Sequence, residues 1–243
     1  MPPTSTAPSD PTVVHGYDRI APVYDLLATL YSGGRIDRCH RAIAARLRPG
    51  ERALFVGVGS GRDAAAAATR GVDPILLDSS PAMLARAKRR IARATSPERA
   101  DSIETHAVDA RTFSPPAPID AIVASFFLNV FRTDELDGLI ARLRGWLPPG
   151  GRLLIADFAP PRGGALARGA QRLYHDLPMH AFRALTGNAR HAIHDLPPRL
   201  TAHGFSIVER QSLRVFGIGP RWLEVLEARV EAPSRESVSG ADR

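Results

Sequence analysis

The sequence predicts an α/β fold on a mostly parallel sheet, and three observations carry that prediction. From Ala53 to Asp157 short apolar runs alternate with amphipathic stretches, the pattern of βαβ units. Glycine or proline punctuates the joins, as at Gly57–Gly61 and Pro148–Gly151. The chain has 243 residues, 44% hydrophobic and 23% charged, enough for a substantial core. In such sheets ligands bind beyond the carboxyl ends of the strands.

Taken in order, residues 1–14 hold four prolines among Ser and Thr and read as a disordered lead-in. Ile20, Val23, Leu26, Leu27 and Leu30 recur at helical spacing; the helix starts near Pro22 and ends at Gly33-Gly34. A second amphipathic helix carries Ile36, Cys39, Ile43 and Leu47 on one face and stops at Pro49-Gly50. Then come a strand at Ala53–Val58, a helix at Asp63–Arg70, a strand at Pro74–Leu77 and a helix from Pro81 to Ala94. Strands follow at Ile103–Ala107 and Ile119–Ser125. The helix Thr133–Leu147 turns Leu136, Leu139, Ile140 and Leu143 inward, and Arg152–Asp157 is a fifth strand.

The segment from Pro160 to Pro198 breaks this rhythm, with helices expected at Ala165–Asp176 and Met179–Leu185. Phe205–Val215 and Trp222–Val230 read as an antiparallel strand pair at one sheet edge. One domain therefore covers 15–230, with N-terminal cap helices at 15–48, an insertion at 160–200 and a flexible tail at 231–243.

Composition narrows the function classes. The lone Cys39 excludes a disulfide framework and a multi-cysteine metal site. No apolar run reaches the roughly 20 residues of a membrane span, and Met1–Asp10 lacks the features of a secretory signal, so the expected location is the cytoplasm. Of 32 basic residues 31 are arginine, and the formal charge is +7. Genomic codon bias explains that choice of residue; a site for anions is the sharper explanation. Between Arg162 and Arg221, nine arginines face only Asp176, Asp195 and Glu209, so +6 of the +7 falls there. An ordinary solvated face and contact with an anionic acceptor or membrane surface, through Arg168, Arg172 and Arg183, both fit that excess.

The first strand runs into Gly57-Val58-Gly59-Ser60-Gly61. Alternate glycines let a ligand approach the main chain at a helix N-terminus. Arg62 stands where a dinucleotide loop has its third glycine, and no Gly-Lys-Ser/Thr follows, so NAD and ATP lose ground. Asp78, 17 residues after Gly61, ends the next strand; its carboxylate can accept from ribose hydroxyls or cap the following helix. Asp109-Ala110 stands after the third strand, as an acceptor for an adenine amino group or as a turn.

Together these motifs resemble the class I S-adenosylmethionine-dependent methyltransferases. The resemblance rests on Gly57, Gly59 and Gly61, on Asp78-Ser79-Ser80-Pro81-Ala82-Met83-Leu84, on Val108-Asp109-Ala110, and on Leu147-Pro148-Pro149-Gly150-Gly151 with its strand. It implies a Rossmann-like, seven-stranded sheet with helices on both faces and an antiparallel edge strand. It also implies S-adenosyl-L-methionine as cofactor, held by Tyr17, Gly57, Gly59, Gly61, Asp78, Ser79, Met83, Asp109, Ala110 and Ser125. Phe55 departs from the pattern, because the family has Asp or Glu there. Asp63 or Asp157 could substitute, and a non-catalytic relative stays open.

Tyr17-Asp18-Arg19-Ile20-Ala21-Pro22-Val23-Tyr24-Asp25 resembles the entry helix of the ubiquinone/menaquinone C-methyltransferases and the bacterial phospholipid N-methyltransferases. This implies that Tyr17 and Tyr24 close over the cofactor or acceptor; a core aromatic pair is the plain alternative. Phe216-Gly217-Ile218-Gly219 is similar to the quinone group's last hairpin. Ser125-Phe126-Phe127-Leu128-Asn129-Val130 ends the fourth strand without the prolines of the nucleic-acid amino-methyltransferases, which disfavours a nucleic-acid partner. The quinone group has an Arg-Asn pair near this point; here Asn129 lacks its arginine unless Arg132 replaces it. The expected acceptor is a small molecule, quinol-like or otherwise aromatic, with a phospholipid amine as alternative. A phenol or carbon acid needs a base, and His175, His180, Tyr24 and Asp157 are candidates, with Asn129 beside them. His191 with His194-Asp195 lacks a third ligand group, so no metal is expected.

Overall fold

The computed structural model describes residues 32–186, 193–214 and 221–231. The lead-in, the first helix with Tyr17 and Tyr24, His191, the Phe216–Gly219 turn and the tail after Glu231 lie outside the described residues. So do the side chains of His180 and Arg183. Helix α1 (Arg35–Arg46) follows Gly33 and Gly34, whose positive φ angles turn the chain into it, and buries Cys39, Ile43 and Ala44. Then come β1 (Arg52–Val56), α2 (Arg62–Ala68), β2 (Asp73–Asp78), α3 (Pro81–Ala94), α4 (Pro97–Asp101) and β3 (Thr105–Ala107). The second half contains β4 (Ala121–Ser125), α5 (Thr133–Trp146), β5 (Arg152–Phe158), α6 (Ala165–Thr186), α7 (Leu196–Ala202), β6 (Phe205–Arg214) and β7 (Arg221–Val230).

Among the described residues these strands form one seven-stranded sheet in the order β3-β2-β1-β4-β5-β7-β6. β1 pairs in parallel with both β2 and β4, so the chain reverses its winding there and opens a crevice beyond the carboxyl ends of those strands. The expected antiparallel pair is present. β7 is the reversed strand and lies between β5 and the true edge β6, where a register shift after Ile207 and the charged Glu209 and Arg210 blunt further pairing.

Alternation along β1 divides the core. Ala53 and Phe55 face a layer built with Ile43 of α1, Ala64 and Ala67 of α2, and Leu84 and Ile91 of α3. Leu54 and Val56 face the other layer, with Leu136, Leu139 and Ile140 of α5 and Leu200 of α7. Every residue of β5 is buried, as a central strand covered on both faces requires.

Two expectations need correction. The insertion holds one helix, α6, of 22 residues in place of two, so Pro178 lies within it. A proline removes one helical hydrogen bond and crowds the carbonyl four residues back, but the turns on either side continue the helix. The short helix α7 went unanticipated, although Pro197 at its first turn is a start signal.

Candidate active site

The loop after β1 places three left-handed glycines, Gly57 (φ 59°), Gly59 (φ 52°) and Gly61 (φ 71°), at the carboxyl edge of the sheet. Their reasons differ. A Cβ on Gly57 would lie 2.1 Å from the ring of Phe127, and one on Gly61 would lie 2.6 Å from the Ala87 Cβ and 2.8 Å from its Cα. Gly57 therefore admits an aromatic ring from the end of β4, and Gly61 admits helix α3. At Gly59 a Cβ would meet nothing nearer than the Gly57 carbonyl oxygen at 3.9 Å, so that face of the loop stays open.

Asp78 ties the two halves of this crevice together. Its Oδ2 accepts from the Gly59 N–H and its Oδ1 from the Ser80 N–H, both at 2.9 Å. Two lone pairs per oxygen leave capacity for further donors. The cap of α3 is Ser80 rather than Asp78: Ser80 Oγ accepts from the Met83 N–H at 3.2 Å, and Pro81 opens the helix. Ser79 is exposed beside it, and Met83 is buried on the inner side of α3. Asp109 turns its carboxylate onto Arg111, accepting from that residue's backbone N–H at 2.8 Å and from its guanidinium at 2.7 Å. Burial opposes its ionisation, but these Arg111 bonds hold it below the ordinary aspartate range. Ala110 is buried next to it.

Phe55 is fully buried in the core, so no carboxylate reaches the loop from that position. Asp63, at the start of α2, is the buried carboxylate nearest the loop in sequence. Its Oδ1 accepts from the Ala64 N–H at 2.9 Å, and Oδ2 lies 3.6 Å from His40 Nδ1 of α1, an ion-pair contact too long for a hydrogen bond. Burial works against its charge; His40, Ser125 and the Ala64 amide prevail and hold its pKa low. Ser125 contributes as a nearby dipole, since its Oγ meets no hydrogen-bond geometry among the described residues. Asp157 behaves oppositely: burial pushes it up to about 7 despite bonds from Asn129 Nδ2 at 2.6 Å and its neighbour's Phe158 N–H at 2.7 Å. The negative Glu224 across the β5–β7 pair adds to the rise.

Beyond β4 the chain enters an unusual conformation. Phe126 has φ 53°, a left-handed geometry rare for a bulky residue. That turn sets its ring edge-on to His40 (5.7 Å) and to Phe158 (5.6 Å). The row continues from Phe158 to Trp222 at 5.8 Å and from Trp222 to Tyr174 at 5.1 Å. His175 of α6 stands edge-on to Phe158 at 4.9 Å and is only 3% exposed. Its Nδ1 is 3.0 Å from Asp176 Oδ1, and its Nε2 is buried with no partner among the described residues. Hydrogen bonding of Nδ1–H to the carboxylate leaves Nε2 as the acceptor nitrogen.

A model of the methyltransferase domain matches residues 53–151. The demethylmenaquinone methyltransferase of Deinococcus radiodurans is 33% identical over 211 residues, which cover 84% of this chain and 83% of that protein. The chain belongs to the S-adenosylmethionine-dependent methyltransferases. The demethylmenaquinone methyltransferase of Beutenbergia cavernae is 35% identical over 164 residues, 65% of this chain and 63% of that protein. Among solved structures the N-methyltransferase NodS from Bradyrhizobium japonicum, in complex with S-adenosyl-L-homocysteine, superposes with a TM-score of 0.63 over 92% of this chain and all of that one. At 18% identity this likeness concerns the fold.

The residues present fit the methyltransferase cofactor. The peptide face at Gly59 is open, as close approach of a ligand demands, and Asp78 reaches that same peptide while keeping acceptor capacity. The structure brings the glycine loop, Asp78 and the β4 terminus together. Arg132, the one residue that could have replaced the quinone group's arginine, instead pairs with Asp134 in solvent at the start of α5. Asn129 is buried against Asp157 and acts as that carboxylate's donor. His194 Nε2 is 3.1 Å from the Phe131 carbonyl oxygen, and among the described residues no cluster of three ligating side chains is present. Sequence reasoning missed Phe126, Phe127 and Trp222. The Phe126-Phe127 pair at the end of a strand was their only signal.

Proposed function

We propose that the protein transfers a methyl group from S-adenosylmethionine to a lipophilic aromatic acceptor of hydroquinone type. The observation that carries the reading is the aromatic row Phe126–Phe158–Trp222–Tyr174, which runs from the end of β4 over the last residue of β5 and the start of β7 to α6, with the buried His175 Nε2 beside it. A planar acceptor packs against such rings, and its hydroxyl offers the partner that Nε2 lacks among the described residues. The relatives that carry the name demethylmenaquinone methyltransferase support the same acceptor class.

In this reading the open face at Gly59, on a loop whose path Gly57 and Gly61 permit, admits the cofactor, Asp78 receives its ribose hydroxyls, and Met83, Asp109, Ala110, Ser79 and Ser125 border it. Tyr17 and Tyr24 belong to its cover. Bound there, the cofactor supplies a methyl on an activated sulfonium. His175 accepts the acceptor's hydroxyl proton at Nε2, and Asp176 stabilises the resulting imidazolium through Nδ1. The aromatic walls exclude water and hold the acceptor for in-line displacement. Asp63, ionised beneath the loop and near His40, takes the position-55 carboxylate's part in ordering it. The working unit spans 15–230, in the cytoplasm.

Calorimetry with S-adenosylmethionine followed by product detection across hydroquinones, phenols and phosphatidylethanolamine tests this. Methylated hydroquinone that disappears in His175→Gln, with cofactor affinity kept, is the expected result. Turnover of the lipid amine alone overturns the acceptor class, and binding without turnover on any acceptor favours a non-catalytic relative.

A further inference from the structure

The buried side of α6 carries a second polar group beside His175. Gln171 lies one helical turn before it on the same side, and both side chains are buried. Both are also anchored on the end of β5. Gln171 Nε2 donates to the Ala159 carbonyl at 2.8 Å, and His175 packs on Phe158, the residue before Ala159. Helical side chains lean toward the N-terminus, so His175 leans over the turn that holds Gln171. Each side chain has one polar atom engaged and one not. The Ala159 carbonyl fixes the amide with its nitrogen inward, which leaves Oε1 as the other end. Gln171 Oε1 is buried with no partner among the described residues, as His175 Nε2 is. Both atoms are acceptors, the amide oxygen always and Nε2 because Nδ1–H serves Asp176. Residues four apart on a helix have Cβ atoms about 5–6 Å from each other. That separation resembles the one between hydroxyls on opposite carbons of a benzene ring.

We propose that Gln171 is a specificity-determining residue that selects the reduced, dihydroxy form of the acceptor. Its Oε1 accepts from the second hydroxyl while His175 Nε2 accepts from the first, so both buried acceptors gain a donor. A quinone presents carbonyl oxygens, which only accept, and leaves every one of these atoms unpaired. A monohydroxy ring leaves one acceptor unpaired. A site built to bond a hydroxyl rejects analogues that lack it for this reason. His175 can adapt by carrying a proton on Nε2, whereas the Gln171 amide is held by Ala159 and cannot offer its nitrogen. The discrimination therefore rests with Gln171. The inference rests on the hydroquinone reading above and adds to it the residue that distinguishes the two oxidation states.

The test is anaerobic titration calorimetry of the full chain saturated with S-adenosylhomocysteine, so that no turnover occurs. The ligands are tetramethylhydroquinone, its monomethyl ether and tetramethylbenzoquinone, whose substituted rings resist addition by thiols. The hydroquinone is expected to bind about 5- to 150-fold more tightly than either of the others, as one unpaired buried group costs. Gln171→Met, close in volume, is expected to bring the hydroquinone and its ether to equal affinity. That variant also strips the Ala159 carbonyl of its donor, so a second measurement uses the unaltered chain. Gln171 and Gln211 are the only glutamines in the sequence, and Gln211 is exposed. Glutamine labelled with carbon-13 at Cδ therefore gives two carbonyl resonances, with Gln211 as internal reference. The hydroquinone is expected to shift the Gln171 resonance and leave the reference in place. Equal affinity for hydroquinone and quinone, or an unmoved Gln171 resonance at saturation, overturns this inference and leaves the acceptor class standing. So does a Gln171→Met chain that weakens all three ligands alike, which would make the residue merely structural. Binding of none of the three, with S-adenosylhomocysteine still bound, overturns the hydroquinone reading and this inference with it.

Discussion

Substituting alanine at Gly61 and at Gly59 separates what the glycine loop does for the fold from what it does for the cofactor. Both residues have positive φ, so each alanine incurs the left-handed penalty of about 1–2 kcal/mol. A stiffer unfolded chain returns about 0.4–1 kcal/mol of that. At Gly61 the new methyl also lies 2.8 Å from the Ala87 Cα, a backbone atom in mid-helix, so α3 must move as a body. Overpacking of that kind costs about 1–3 kcal/mol. The net loss for Gly61→Ala is therefore about 2–4 kcal/mol, or about 5–12 °C in Tm for a chain of this size. Gly59→Ala has no such neighbour, so it loses about 1 kcal/mol or less and melts within about 3 °C of wild type. Its methyl instead stands on the open peptide face, so S-adenosylmethionine binding falls at least tenfold. Differential scanning calorimetry and titration calorimetry read the two quantities independently. If Gly59→Ala binds the cofactor normally, or Gly61→Ala melts with the wild type, the steric division of the loop is wrong.

Other outcomes follow from the same geometry. Asp78→Asn removes the charge that receives the Gly59 and Ser80 amides, and cofactor affinity is expected to drop about tenfold or more, read by titration calorimetry. Arg152 of β5 pairs with Glu51 and lies near Glu227, all three side chains largely buried. Arg152→Met leaves the buried Glu51 without its guanidinium partner, while Glu227 keeps Arg229 at 3.7 Å, and costs about 3–5 kcal/mol in urea unfolding. Asp157 has a folded pKa of about 7, above its ordinary value of 3.8. Between these values the native state holds a proton that the unfolded chain releases, so this group's contribution to stability falls as pH rises through that window. The unfolding free energy of wild type minus that of Asp157→Asn should therefore decline between about pH 4 and 7 and level off above; a flat difference would contradict the buried protonated acid. His175→Gln should lower kcat about 100-fold or more, as loss of a general base does, with S-adenosylmethionine affinity kept, read by steady-state kinetics and titration calorimetry.

How much was legible in the sequence depended on how local the determining physics is. The helix from Pro81 to about Ala94 was readable, because Ser80, Pro81 and the apolar spacing act within a few positions of each other. The central strands β1, β2, β4 and β5 were readable within two residues, since a run buried on both faces is marked by composition alone. The continuous helix through Pro178 was not, because proline's local penalty can be outweighed by the turns around it. Within the site, Gly57, Gly59, Gly61 and Asp78 stood out through spacing. Their separate tasks did not, since the ring of Phe127 and the backbone of Ala87 approach from elements 70 and 26 residues away.

The sequence by itself determined the α/β alternation, the glycine loop with its acidic partner, and the basic stretch toward the carboxyl end, because periodicity, turn chemistry and charge are properties of neighbouring residues. Only the tertiary structure decided which carboxylates are charged. Asp63 and Asp157 look alike in a one-dimensional chain, yet His40 helps hold the first ionised, while burial and Glu224 raise the second to about 7. Only folding, likewise, bent Phe126 into a left-handed turn and aligned Phe158 and Trp222, at adjoining strand ends, with Tyr174 of α6. It also set Gln171 and His175 together on the buried side of one helix. Electrostatics and packing act through space, and the partners that set them are tens of residues apart in the chain.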